Sequence, residues 1–290
     1  MLKVFKNKAE TTNLSTCAAT LVISFYKNIR MLELVLASLE IQTFKNFNLI
    51  ICDDGSPENT VTLLHQKLES LSISSLHLWH EDNGFRKNRI LNWAIHYCQT
   101  PLMIFIDQDC ILHSEFIKEH VENRIEKTVL CGRRINLTSF VSRFLNPEKI
   151  KTQFLEKNIW WLLSLGLFMK DNNGIKGLYF KNIYLRKWAN KKYRSIVGCN
   201  FSIFKSDLIA VNGFDTRYEG AGFGEDSDLD FRLTLNQVKM LPACNTAVQY
   251  HIYHRLLTRS NENEDLFNKV VQQKKIETAY GLKQQILNLD

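Results

Sequence analysis

PLMIFIDQDC, Pro101 to Cys110, sets an uncharged apolar run directly before two aspartates. A short run bounded in this way reads as a strand buried on both faces. It stops abruptly at Asp107-Gln108-Asp109, so two carboxylates leave the carboxyl end of that strand. Open α/β sheets hold their ligands at such ends. The two acids would repel one another unless a cation or hydrogen-bond donors compensated them, and a divalent metal is a natural occupant. D-x-D alone is common; its place after a buried strand is what gives it weight.

The same pattern recurs on the amino-terminal side. Ala19 to Phe25 (ATLVISF) reads as a buried strand, and Asn28 can cap a helix with Leu32, Val35, Leu36 and Leu39 at core spacing. Leu49 to Cys52 makes another strand, closed by Asp53-Asp54-Gly55-Ser56-Pro57. The glycine and proline enforce a turn with both aspartates at the strand end. There they suit a ribose hydroxyl or a base N–H, or simply an Asx turn. Next, Asn83, Gly84, Arg86 and Arg89 lie between a strand (Leu76 to His80) and a helix with Ile90, Leu91, Ala94 and Ile95 inside. Strands alternating with helices predict an α/β fold, a mostly parallel central sheet flanked by helices.

Further along, GEDSDLDFRL (Gly224 to Leu233) places Glu225, Asp226, Asp228 and Asp230 within six positions. On a helix, Asp226 and Asp230 share one face while Leu229 and Leu233 can meet a core. Acids at a helix start suit its dipole and tend to stay ionised. An ionised carboxylate beside a glycine-rich approach is what a general base requires, although a solvated helix start has the same composition.

At 290 residues with 12 Gly and 4 Pro, the chain can bury a large core and has no room for a long flexible linker. MLKVFKNKAETTNLSTCAAT has no long apolar run after its lysines, so it does not read as a secretory signal. No run of apolar residues is long enough to span a membrane. The seven cysteines form no C-x-x-C pair and read as reduced core residues of a cytosolic protein. The net charge of +7 is unevenly placed: Lys181 to Arg194 holds six basic residues and no acid, interleaved with Tyr184, Trp188 and Tyr193. Just before it, Ile159 to Met169 (IWWLLSLGLFM) carries no charge. Together these suit contact with an anionic membrane surface, or a buried helix followed by a solvated basic face. No nucleic-acid-binding module accompanies the basic stretch, so nucleic acid is not expected as a partner.

TLVISFYKN, IICDDGSPENT, EDNGFRKNRILNWAI, FIDQDC and GCNFSIFKSDLIAVNGFDTRYEGAGFGEDSDLDFRL, followed by VQYHIYH, together resemble an inverting glycosyltransferase of family 2 with the GT-A fold. The last two pieces resemble the galactosyltransferase-type carboxyl-terminal half found in β-1,4-galactosyltransferases and bacterial chondroitin polymerases. The resemblance runs from about residue 19 to about 260 and lapses near 140–195. It implies a UDP-sugar donor, with the base near Asp53 and the ribose near Asp54 or Asp107. Asn83, Arg86 or Arg89 would lie near the nucleotide, and Asn200 would face the donor sugar. Asp109, with Asp107 and His251, would hold Mn2+ or Mg2+ on the diphosphate, His254 being a weaker candidate three residues on. Asp226 would be the general base, and Glu225 would bind the acceptor or the sugar hydroxyls.

The resemblance further implies a bacterial-type enzyme of surface polysaccharide or lipooligosaccharide synthesis, cytoplasmic and peripheral on the inner membrane face, with a glycan or lipid-linked acceptor. The expected organisation is an extension (1–18), a nucleotide-sugar-binding half (19–110), a variable helical and basic insert (111–195), an acceptor-binding and catalytic half (196–260) and a helical tail (261–290). One departure concerns the acceptor loop: GAGFGED carries Ala221 or Phe223 where many relatives have a tryptophan, so acceptor identity does not carry over. Two other classes stay open. A nucleotidyltransferase would use similar strand-end acids, but ISFYKN lacks the glycine of its usual phosphate loop. A catalytically silent sugar-nucleotide or glycan-binding module would not need Asp107, Asp109, Asp226 and His251 together.

Overall fold

Alternate side chains of the central strands divide between two apolar layers, and that division builds the molecule. The structure, a computed structural model, describes residues 2–7, 14–168, 174–220, 222, 224–255 and 261–287. Ala221, Phe223 and Met169 lie outside these residues. The strands in chain order are β1 (Lys3–Asn7), β2 (Ala19–Phe25), β3 (Phe47–Asp53), β4 (Ser75–Trp79), β5 (Leu102–Asp107), β6 (Cys110–Leu112), β7 (Thr128–Cys131), β8 (Arg133–Asn136), β9 (Asn200–Phe204), β10 (Lys239–Pro242) and β11 (Val248–His251). Eight of them form one sheet in the order β1-β4-β3-β2-β5-β9-β7-β10, and β6-β11-β8 form a second.

β2 to β5 are parallel, whereas β1 and β9 run against their neighbours. The crossovers are α1 (Ile29–Glu40), α2 (Glu58–Ser70) and α3 (Lys87–Tyr97). On β5, Leu102, Ile104 and Ile106 join the layer of α1, α2 and α4 (Phe116–Glu122). Met103 and Phe105 face the other way, toward α3 and the Glu225–Leu235 helix. β2 and β3 split in the same alternation, as period-two side chains must. Phe105 stacks on Phe201 of β9 with ring centroids 4.6 Å apart, locking the antiparallel strand onto the parallel ones. Asn28 caps α1 as its position suggests, accepting from the Met31 N–H at 3.2 Å.

The segment near 140–195, where the quoted motifs lapse, folds mostly as short helices beneath the second sheet, beginning with α5 (Ser139–Phe144). Its apolar run becomes the Ile159–Phe168 helix, which buries Leu162 but leaves Trp160 74% exposed. Among the described residues no helix is long and apolar enough to cross a membrane. The basic stretch forms the Ile183–Ala189 helix, none of whose residues is buried. Arg186 is nonetheless tied down: its guanidinium donates to both Glu119 oxygens at 2.9 and 2.6 Å, a bidentate pair that anchors this helix to α4. All seven cysteines are free thiols and six are buried.

Under the Glu225–Leu235 helix, Arg232 and Asp228 form an ion pair at 2.5 Å, each with a side chain 1% exposed. The guanidinium also donates to the Val211 carbonyl at 2.6 Å, so the pair is hydrogen-bonded as well as charged. Removing one partner strands the other in a low-dielectric interior. Arg232→Met is therefore expected to lower unfolding stability by about 3–5 kcal/mol, read as a shift in urea midpoint at unchanged slope.

Candidate active site

β2, β3 and β5 end at the same edge of the sheet, and β2 sits where the chain's connections change direction, with β3 and β4 on one side and β5 on the other. A crevice opens at such a switch point. Here it is a cavity of about 640 Å3 lined by residues from the ends of all three strands, the start of α3, the Glu225–Leu235 helix and the residues after β11.

The Asp53-Asp54 pair divides its work. Asp54 lines the cavity, with one oxygen 2.6 Å from His80 Nε2 and the other accepting from the Arg86 N–H at 2.8 Å. Asp53 does not reach the cavity. It is 0% exposed, accepts from the Ser56 N–H at 2.8 Å and pairs with His77 Nε2 at 3.1 Å. Its carboxylate closes the turn, so the expectation that it meets the nucleotide base is corrected: both oxygens are already engaged in the interior. Gly55, at φ +93°, lets that turn pass Asp82, where a Cβ would come within 2.4 Å of backbone. Asn83 and Arg89 are exposed and stand outside the cavity lining, and the Arg86 guanidinium lies 3.8 Å from Glu219.

Lys87, between Arg86 and Arg89 and not among the residues expected from the motifs, is a central charge of the site. Its Nζ lies 2.9 Å from Asp107 Oδ1 and 3.7 Å from Glu225 Oε1. Burial pulls the ammonium's pKa down, but Asp107, Glu225 and Asp226 outweigh it and hold it well above the ordinary value. One ammonium does not neutralise three carboxylates. Burial, opposed by Lys87 and helped by Asp226 and Asp107, pushes the Glu225 carboxyl up to about 7. Its Oε2 is buried without a hydrogen-bond partner. A signal for Lys87 was present: a lysine in the first turn of a helix opposes the dipole there, a local conflict that often marks a site.

Asp226 accepts from the Gly198 N–H at 2.7 Å and has its pKa raised, chiefly by burial. A Cβ on Gly198 would meet Asp226 Oδ1 at 2.5 Å, so the glycine is what lets backbone and carboxylate close on each other. Asn200 departs from expectation. It is 0% exposed and its amide donates to the Arg133 and Ala247 carbonyls at 2.9 and 3.0 Å. Its Oδ1 lies 3.2 Å from His120 Nε2, so the side chain splices the two sheets and does not face a donor sugar. Asp230 anchors the Ile196 N–H at 2.8 Å.

At the far wall, antiparallel pairing sets His251 of β11 opposite Cys110 of β6, and Asp109 immediately precedes that pair. Asp109 Oδ2 lies 3.4 Å from His251 Nε2 and 3.1 Å from His254 Nε2, and the two Nε2 atoms are 3.2 Å apart. Burial would raise the Asp109 pKa, but the two imidazoles hold it far below the carboxylate range, and Asp109 in turn raises His254. His254 Nδ1 is turned to the Arg255 carbonyl at 2.8 Å, which leaves Nε2 its lone pair in the neutral ring. Three donor atoms converging at these separations fit one divalent cation, and the two nitrogens suit Mn2+ better than Mg2+. Asp107, the other expected ligand, is not one of the three converging groups; its Oδ1 accepts from the Lys87 ammonium at 2.9 Å. His254, the weaker candidate by sequence, is one of the three.

The Glycosyl transferase family 2 model matches residues 20–206, and the model described as the N-terminal domain of galactosyltransferase matches 183–255. Validoxylamine A glucosyltransferase of Streptomyces hygroscopicus subsp. jinggangensis is 23% identical over 76% of this chain and 52% of its own length. An Escherichia coli UDP-Glc:α-D-GlcNAc-diphosphoundecaprenol β-1,3-glucosyltransferase is 24% identical over 48% of this chain and 55% of its own. The chain thus spans about half the length of these relatives. Among solved structures, Staphylococcus aureus TarS 1–349 with UDP superposes at a TM-score of 0.55, with 14% identity, over 92% of this chain and 68% of that one. A Pyrobaculum calidifontis mannosyltransferase with GDP-Man and Mn2+ gives 0.53 at 12% identity, over 82% and 57%. The fold is the GT-A type.

Two measurements check this geometry. Asp109→Asn is expected to weaken Mn2+ binding on the order of tenfold or more, by calorimetric titration, with circular dichroism unchanged. Burial lifts the Glu225 carboxyl from 4.5 to about 7 on folding, so stability is lost progressively from about pH 4.5 to about pH 7 and the full cost stands above that. Glu225→Gln should therefore raise the melting temperature at pH 8 and change it little at pH 4.

Proposed function

Because the chain belongs to glycosyltransferase family 2, we propose that it is a metal-dependent, inverting enzyme that moves a hexose or N-acetylhexosamine from a UDP-sugar to a hydroxyl of a glycan or glycolipid. The observation that carries this reading is one cavity that holds the Asp109–His251–His254 donor set together with Glu225, whose buried Oε2 has no partner. A substrate hydroxyl would satisfy that oxygen, and unsatisfied buried acceptors are costly otherwise.

In this reading the nucleotide lies along the ends of β2 and β3, with the ribose toward Asp54. Asp109, His251 and His254 would hold Mn2+, which when bound offsets the charge on the departing diphosphate. Lys87, Arg134 and Arg255 line the same cavity and add positive charge. Asp226, fixed by the Gly198 N–H, takes the proton of the acceptor hydroxyl as that oxygen attacks the anomeric carbon. Its raised pKa strengthens it as a base. Glu225 orients the hydroxyls. Attack opposite the leaving diphosphate inverts the centre in one displacement, with no covalent enzyme intermediate.

The relative that acts on a diphosphoundecaprenol-linked sugar supports a lipid-linked acceptor in surface polysaccharide or lipooligosaccharide synthesis. Exposed Ile183, Tyr184 and Trp188 beside Lys181, Lys187, Lys191 and Lys192 support peripheral contact with an anionic membrane on its cytoplasmic face.

The test is UDP release from a panel of UDP-sugars with Mn2+, with and without chelator. Metal-dependent release from one donor is expected, and Asp226→Asn should lower acceptor-dependent turnover by about 10²–10⁴, mainly in kcat. A protein that neither binds nor turns over any UDP-sugar with any divalent ion would overturn the reading and leave a glycan-binding module.

A further inference from the structure

A second cavity, of about 250 Å3, opens beside the Asp109–His251–His254 group and shares Asn28, Met31 and His254 with the main one. The first turn of α1 brings Arg30 to its wall, and α5 brings Ser139, Ser142 and Arg143. No carboxylate lines it. Both arginines are exposed, and neither takes part in an ion pair among the described residues. The Ser142 oxygen accepts the Tyr253 N–H at 2.9 Å, which leaves its hydroxyl proton free to donate. α1 also begins without an acid in its first turn.

This wall offers donors and positive charge and nothing to balance them. Two guanidinium forks flanked by hydroxyls match the tetrahedral oxygens of a phosphate better than any neutral group. The donor's diphosphate has its own site at the Asp109 set in the main cavity, so the second cavity is left for another phosphate. α5 points to which one. The face next to Ser139 and Arg143 exposes Phe140 (67%) and Phe144 (47%). An apolar tail would rest there, and a nucleotide has none.

Resting on the transferase reading above, we propose that the second cavity is the subsite for the phosphate group that joins the acceptor sugar to its lipid, held by Arg30 and Arg143. The subsite would set the lipid phosphate on the far side of His254 from the reacting centre and so measure the acceptor from its phosphate end.

The experiment is calorimetric binding of a short-chain prenyl diphosphate and of the matching prenyl alcohol to the protein with Mn2+ and UDP. Wild type is expected to prefer the diphosphate by about tenfold or more. In Arg30→Ala/Arg143→Ala that preference should vanish while UDP affinity stays the same. Arg143→Lys, which keeps the charge and loses the fork, should fall between. Should the double variant fold poorly by melting temperature, the single Arg30→Gln and Arg143→Gln variants carry the test. A variant that keeps the diphosphate preference overturns the proposal, as does one that loses UDP affinity by the same factor, which would give the subsite to the donor. Failure of the transferase reading would instead show as absent UDP release with the binding preference intact.

Discussion

The parallel strands β2, β3 and β5, packed on both faces, carry their carboxylates only at their carboxyl ends, and this one constraint organises the site. β2, β3 and β5 present apolar side chains to the two layers in strict alternation. Hydrated or charged groups placed mid-strand would sit in the core without water. The chain therefore collects its chemistry where three strands stop together, and the cavity is the space between those stops. The second sheet then supplies a wall of its own, because β11 pairs with β6 in the register that sets His251 beside Asp109.

Charge balance decides what happens inside that space. The acidic run on the Glu225–Leu235 helix looks uniform in sequence but is spent on four different tasks. Glu225 faces the cavity, Asp226 holds the Gly198 backbone, Asp228 is consumed by Arg232, and Asp230 fastens Ile196. Of the four only Glu225 lines the cavity, with Asp226 next to it on the helix. Lys87 sits against Glu225 and Asp107, tying the helix that carries one acid to the strand that carries the other. Burial, helped by Asp226 and Asp107 and opposed by that ammonium, lifts the Glu225 carboxyl to about 7.

Much of this could be read along the chain. β2 was anticipated to its last residue, β3 and β5 to within a residue or two, and Asn28 as a cap to the side-chain bond. Asp109 and His251 were paired although they are far apart in sequence, because each follows a buried strand in the pattern the family carries. The failures share a cause. Asp53 and Asn200 are polar residues at strand ends, as ligand-binding residues are, yet their hydrogen bonds run inward to His77 and to the backbone of neighbouring strands. Sequence shows that a polar group stands at an end and is silent on which way it turns.

What the sequence determined by itself is the layered α/β architecture and the set of strand ends where chemistry gathers, since period-two burial, caps and turn residues are local properties. What only the tertiary structure decided is the assignment of each polar group: Lys87 to two carboxylates, Asp107 to Lys87, His254 to Asp109 and His251, and Arg30 and Arg143 to one second cavity. Those partnerships join segments distant along the chain. Their energies depend on separations of a few ångströms and on exclusion of water, and packing alone sets both.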